Sequence, residues 1–275
     1  MTIVQLDDRA VLSVAGADAR GFLQGLLTSD LDTLTPGHPL YAGLLSPQGK
    51  ALFDMLLFAA PDGGVLVDVA AMRAPALARR LAMYRLRKAV TIAGSPLKVF
   101  AGWAGGEAGQ AADPRFADLG ARWLAESGPV ADSAAYDAHR LAIGVPDSAD
   151  IGEDELLWLE TGADLLNGVS FTKGCYVGQE NTARMHHRDK VRRRLVPVTF
   201  GGVPGDGPDP VTIHDGAGRS VGTLRSHAGG PGDRRGIAHL RLEAAAGPLS
   251  LAGQPLTVQR PAWLEPALLA AAGAA

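Results

Sequence analysis

Cysteine is nearly absent from this chain: Cys175 is the only one in 275 residues. A single thiol excludes an internal disulfide, a cysteine-rich zinc site and a self-contained set of iron-sulfur ligands. It fits a reducing compartment. Long apolar runs are missing as well. No stretch approaches the roughly 20 apolar residues of a membrane span. The first ten residues, with Asp7, Asp8 and Arg9, hold no signal-peptide core. A cytoplasmic protein without a membrane partner is the expectation. Charge of one sign is also short: 26 Lys and Arg against 29 Asp and Glu leave −3. No global basic field therefore draws the molecule to nucleic acid. There is no internal repeat and no sustained heptad, which removes solenoids and coiled coils. No HExxH spacing occurs, and Gly49-Lys50 lacks the preceding glycine of a phosphate-binding loop.

What remains is a folded chain with 47% apolar and 20% charged residues, long enough for one large domain or two smaller ones. Val11 to Val14 reads as a strand, and Gly16-Ala17-Asp18 opens a helix with Phe22, Leu23, Leu26 and Leu27 on one face. Tyr41 to Leu45, Ala51 to Ala59 and Val65 to Val69, joined by Ser46-Pro47-Gln48-Gly49 and Pro61-Asp62-Gly63-Gly64, predict an antiparallel meander. Pro75 suits a first helical turn, with Leu77, Leu81 and Tyr84 on one face before the β-branched Val90-Thr91-Ile92. Gly102 to Gly109 reads as a loop and Ser133 to Ile143 as a capped helix. After the turn-rich Gly201 to Pro208, short β-like runs at 211–214, 220–227, 235–241 and 248–258 predict a small barrel. Charge is segregated: 147–160 carries six acids and no base, whereas 184–194 carries six bases and one acid. The two stretches are expected to face one another.

The chemistry centres on Lys173-Gly174-Cys175-Tyr176-Val177-Gly178-Gln179-Glu180. Glycine lets backbone approach a ligand closely, and a cation near a thiol favours the reactive thiolate. Lys173 is thus a candidate activator of Cys175, although a lone cysteine is also read as a small buried hydrophobe. A cysteine hydrolase would need His139, His186 or His187 as base, and no nucleophile elbow accompanies them. The adjacent pair His186-His187 is weak as a metal site, because neighbouring side chains point apart. The run Arg184, Arg188, Lys190, Arg192, Arg193, Arg194 suits a polyanion such as RNA or the glutamate tail of a folate, or else a solvated face bonded to the acidic stretch.

The motif around Cys175, with Gly168 to Lys173 before it and Ala183 to Arg188 after it, resembles the signature of the YgfZ family. These are folate-binding proteins of iron-sulfur cluster assembly and repair, similar in fold to the aminomethyltransferase (T-protein) of the glycine cleavage system. Val14 to Ala19 with Phe22 to Asp30, Leu45 to Lys50, Tyr84 to Arg87, Val221 to Ser226 and Gly236 to Ala238 agree in order. The resemblance implies an α+β, T-protein-like fold over residues 1–195 and a β-barrel over 196–275. It also implies tetrahydrofolate or a one-carbon derivative as ligand, no stably bound metal, and iron-sulfur client or assembly proteins as partners.

Residue by residue, the resemblance makes Cys175, Lys173 and Asp54 the chemical groups. It makes Asp54, Arg9, Tyr136, Arg140, Gly174, Tyr176, Gly178, Gln179, Glu180 and Arg184 the candidate folate contacts, with Tyr136 either stacking on the pterin or serving as a core aromatic of its helix. Two departures from T-proteins stand out. Phe53-Asp54 keeps only the second of their paired aspartates, and Arg140-Leu141-Ala142 has alanine in place of their glutamate. Losing that glutamate weakens the aminomethyltransferase reading. Three readings follow: a folate-binding factor of cluster assembly that acts through Cys175, a folate-dependent one-carbon transferase that uses Asp54, and a binding module whose 184–194 basic stretch docks RNA or an acidic partner.

Overall fold

The computed structural model describes residues 2–105, 110–129, 133–188, 191–202, 211–230 and 232–273. Two sheets and a closed barrel make up the architecture. The chain begins with β1 (Thr2–Gln5), β2 (Arg9–Ala15) and helix α1 (Ala19–Gln24), followed by the meander β3 (Leu40–Leu45), β4 (Ala51–Ala59) and β5 (Val65–Ala70). Helix α2 (Ala74–Arg85) leads into β6 (Thr91–Gly94), β7 (Lys98–Trp103) and β8 (Ala121–Ala125). Helices α3 (Ala134–Ile143), α4 (Ser148–Ile151) and α5 (Gln179–His187) precede the barrel strands β9 (Arg193–Phe200), β10 (Thr212–Asp215), β11 (Ser220–Ala228), β12 (Arg234–Arg241), β13 (Leu249–Leu251) and β14 (Gln254–Val258). Helix α6 (Glu265–Gly273) follows them.

The five-stranded sheet runs β3-β4-β5-β2-β6 and the three-stranded one β1-β7-β8. The expected meander is antiparallel throughout, and Pro75 sits in the first turn of α2. Gly102 and Trp103 belong to β7, because residues 98–103 pair with both β1 and β8. The rest of that expected loop from 106 to 109 lies outside the described residues, as do Lys190 and residues 203–208 of the expected turn-rich break. Ser133 precedes α3 in helical conformation without a side-chain cap. Asp18 makes no cap either, since its carboxylate accepts from the Ala89 N–H at 2.7 Å.

In β4 every residue from Ala51 to Leu57 is buried, and Asp54 is the one ionisable side chain among them. A strand covered on both faces reads as an apolar run rather than an alternation. Opposite Asp54 stands Gly43. A Cβ there would lie 2.9 Å from the indole of fully buried Trp158, so only glycine leaves room for that ring.

The barrel closes as β10-β11-β12-β9-β14-β13. Strand β9 pairs with both β12 and β14 and runs through the expected boundary between residues 195 and 196. One core continues across it: Leu195, Val198 and Ile237 of the barrel cluster with Tyr41, Leu45 and Trp158. A second cluster fills the space between α1, α2 and the five-stranded sheet.

The two sheets are joined by buried charge. Asp68 on β5 takes Arg9 Nε at 2.7 Å on one oxygen and Arg122 Nη2 at 2.8 Å on the other, all three side chains being essentially inaccessible. Burial alone would raise this carboxyl. Arg122 and Arg9 outweigh it and hold the pKa below the usual aspartate value. Asp68→Asn keeps the shape, leaves the buried Arg122 guanidinium without its carboxylate and removes the closer of the two carboxylates that oppose Arg9. The expected cost in urea unfolding at neutral pH is about 3–5 kcal/mol. Because the folded pKa is depressed, this contribution is complete above the unfolded value and disappears as pH falls through the folded one. The gap between wild type and Asp68→Asn should therefore narrow in acid.

Candidate functional site

The segment from Phe171 to Gly178 is an irregular loop that ends on the N-terminus of α5. Its parts are individually anchored. Lys173 inserts its ammonium among the backbone carbonyls of Gln24, Leu27 and Ser29, at 2.8, 2.7 and 2.8 Å, and lies 5.4 Å from the centroid of the Tyr176 ring. Three acceptors match the three N–H bonds of an ammonium. Burial pulls the Lys173 pKa down to about 8, with Asp30 and Asp32 acting against it. Tyr176 is buried, and its hydroxyl is pushed up to about 12 by that burial. Gly178 has φ +83°, and a Cβ on it would meet the Ser46 carbonyl at 2.5 Å. Asn181 donates to the Gln48 carbonyl at 2.9 Å, which seats α5 on the β3–β4 turn. Phe171 stacks on His186 with ring centroids 3.7 Å apart.

Gly174 and Cys175 stand apart from this frame. Both are exposed, and the thiol is free. A Cβ on Gly174 would meet nothing within 4 Å, and its φ lies outside the left-handed region. Neither sterics nor backbone conformation therefore demands glycine there. The expected role of Lys173 is corrected: its ammonium is engaged by three carbonyls of the α1 corner, so it anchors the loop rather than serving the thiol. Gln179 is half-buried and Glu180 exposed in the first turn of α5, and Arg184 donates to Asn181 at 2.7 Å. Of the histidines considered as bases, His139 stacks on Trp103 with centroids 4.5 Å apart. Among the described residues, no group of three or more His, Cys, Asp or Glu is placed to hold a metal ion.

A second constellation surrounds Asp54. Ser148 Oγ donates to Asp54 Oδ1 at 2.6 Å and accepts from Arg9 Nη1 at 3.2 Å. The same Arg9 nitrogen reaches Asp147 at 3.2 Å. Burial raises the Asp54 carboxyl, opposed by Arg9 and reinforced by Asp147. Asp147 shifts the other way, because Arg9, Arg140 and Arg115 overcome its burial. Arg140 sits between Asp150 at 2.8 Å and Asp137 at 2.7 Å. Tyr136 lies in the core, with its hydroxyl accepting from Arg115 at 2.7 Å and its ring packed near Trp103 and Arg122. These contacts match the core-aromatic reading of Tyr136 rather than pterin stacking. Arg9 and Arg140 likewise have their guanidinium groups engaged, whereas Asp54 Oδ2 accepts nothing among the described residues.

Sequence reasoning overlooked Asp147, Ser148, Asp68, Arg115 and Arg122. One signal was legible: Asp147 and Asp150, three apart behind Pro146, form the capping box of α4. The expected meeting of acidic and basic stretches is also corrected. Glu153 pairs with Arg73, Glu155 with Arg225, Asp150 with Arg140 and Asp147 with Arg9. Only Glu160 lines the cleft formed by the basic stretch.

This architecture is that of the glycine-cleavage aminomethyltransferases. Aminomethyltransferase T of Bartonella henselae superposes with a TM-score of 0.73 over 96% of this chain and 86% of that one, at 15% identity, a likeness of fold. Residues 192–266 match the C-terminal β-barrel domain of CAF17. The human mitochondrial iron-sulfur cluster assembly factor IBA57 is 37% identical over 90% of this chain and 79% of its own length. The mouse protein of that name is 34% identical over 91% of this chain and 80% of its own. The chain belongs to the IBA57 family of iron-sulfur cluster assembly factors, related to the YgfZ family that the motifs resemble. The expected cytoplasmic location is overturned, since the relatives are mitochondrial by name. Scarce cysteine speaks to redox conditions and does not separate one reducing compartment from another.

Two pairs of variants test the frame. Lys173→Met orphans three carbonyls and should cost about 3 kcal/mol in chemical unfolding, whereas exposed Cys175→Ala should stay within about 0.5 kcal/mol of wild type. Gly178→Ala should destabilise clearly, and Gly174→Ala should not.

Proposed function

We propose that this chain takes part in assembling iron-sulfur clusters, that Cys175 is the thiol through which it acts, and that tetrahydrofolate or a one-carbon derivative binds beside Asp54. The observation that carries the reading is the contrast inside one octapeptide. Lys173, Tyr176 and Gly178 are committed to holding the loop, while Gly174 and Cys175 are exposed and committed to nothing. A rigid frame around a free thiol suits a ligand that must be offered to another molecule. A [2Fe–2S] or [4Fe–4S] cluster takes four protein ligands. One cysteine fills one of those positions, so a client or assembly protein supplies the others and the cluster is cargo.

Folate is supported by Asp54. A buried carboxyl with a raised pKa and one unengaged oxygen can hold a proton or accept an N–H, as a pterin edge requires. The bound folate would supply a one-carbon carrier. Ser148 fixes the carboxyl, and Arg9 with Asp147 sets its charge.

The raised Asp54 carboxyl also favours a second reading, a one-carbon transferase in which Asp54 moves the proton. The two separate in mutants. In cells lacking the protein, Cys175→Ala should fold yet fail to restore cluster-dependent enzymes, and full restoration would overturn the thiol's role. Anaerobic titration with tetrahydrofolate, read by tryptophan fluorescence, should saturate and weaken in Asp54→Ala. Absence of binding at millimolar folate would remove the folate half. Turnover of a one-carbon folate that Asp54→Ala abolishes and Cys175→Ala spares would establish the transferase instead.

A further inference from the structure

The helix that carries the Cys175 loop also forms one wall of an arginine-lined cleft of about 540 Å³ between α5 and the barrel. Arg184 enters it from α5, Arg188 from the residue that caps that helix, Arg192 and Arg193 from the entry to β9, and Arg241 from the end of β12, against two carboxylates, Glu160 and Glu243. Among the described residues that line it, five cations against two anions reverse locally the net −3 of the chain.

The arrangement opposes the stability of the free protein in two places. Arg184 in the last turn of α5 and Arg188 at its C-cap are four residues apart, which crowds like charges at the helix end. Arg193 and Arg241 are directly paired across β9 and β12, where like charges destabilise a sheet. The helix dipole favours cations at the end of α5 but has no bearing on the barrel residues that converge on them. Little in the described residues neutralises the group. Arg241 has Glu243 at 3.6 Å, while Arg184, Arg188, Arg192 and Arg193 have no described carboxylate within 4 Å. Glu160 already accepts from the Leu157 N–H at 3.2 Å, with His239 Nε2 3.6 Å away.

We propose that this cleft binds an acidic polypeptide segment of the protein that meets Cys175. Guanidinium forks match carboxylates bidentately, and separate carboxylates along a chain match separate arginines. Among the described residues that line the cleft there is no aromatic side chain on which nucleic-acid bases stack, and Glu160 and Glu243 repel a continuous phosphodiester backbone. A polypeptide answers them with its own N–H groups and an occasional cation. The location suits the purpose: α5 begins at Gln179, four residues after Cys175, and its nine residues span only about 13 Å. A segment bound in the cleft thus holds its protein beside the thiol. The partner's role rests on the reading above, whereas the cleft's ligand chemistry does not.

The test uses the full chain and a labelled peptide of about ten residues alternating Glu and Gly, with a Gln-for-Glu control, a decauridylate and γ-linked triglutamate as competitors. The acidic peptide should bind, the Gln control should not, and affinity should fall steeply as salt rises. Arg188→Glu and Arg193→Glu should each weaken binding about tenfold, with unfolding curves confirming the fold, while Arg235→Glu outside the cleft should not. No peptide binding, binding indifferent to the two reversals, or tighter binding of the decauridylate or of triglutamate would overturn the assignment. Folate titration is read separately, so failure of either proposal is visible by itself.

Discussion

One carboxylate held between two guanidinium groups sets the geometry on which the site depends. Asp68 joins Arg9 of β2 to Arg122 of β8, and in doing so docks the three-stranded sheet on the five-stranded one. Buried charges that lose a partner are strongly destabilising, so the positions of both arginines follow from that of the aspartate. Arg9 is then aimed past Asp68 at Asp147 and Ser148, and Ser148 in turn grips Asp54. The raised Asp54 and the lowered Asp147 are two consequences of one buried field, with the cation closer in effect to Asp147.

The loop of Cys175 uses the same device on backbone. Lys173 carries a full charge into the protein to collect three carbonyls that the turn after α1 leaves without helical partners. That contact ties residue 173 to residues 24–29, and the Ser170 N–H to Thr28 O bond at 2.9 Å continues it. Below the loop, Trp158 and Thr28 both donate to the carbonyl of Gly168. A thiol on so constrained a support has a defined position without a contact of its own.

Much of the fold was legible because it rests on local rules. The meander announced itself through Ser46-Pro47-Gln48-Gly49 and Pro61-Asp62-Gly63-Gly64, and α2 through Pro75 and its apolar spacing. The membership of β9 in the barrel was not legible. Its first residues, Arg193 and Arg194, look like the tail of a basic run, and only pairing with β12 and β14 makes them strand. Thr2–Gln5 escaped notice for the same reason, being four residues that are strand only because β7 lies beside them. The roles of Tyr136, Arg9 and Arg140 hinged on which polar atoms their neighbours had already engaged, and spacing carries no such information.

By itself the sequence determined the class of chemistry: a single thiol in a glycine-flanked motif, no metal-ligand spacing, one aspartate in an otherwise apolar strand, and a basic run confined to a few residues. These are matters of composition and local order, and they survive any arrangement of the chain. Only the tertiary structure decided that the Lys173 ammonium is held by three backbone carbonyls, that the acidic stretch pairs with Arg9, Arg73, Arg140 and Arg225 instead of its basic counterpart, and that five arginines share one cleft. Each of those outcomes depends on Coulomb interactions and hydrogen bonds between residues far apart in the chain, whose partners exist only once burial has removed water as the alternative.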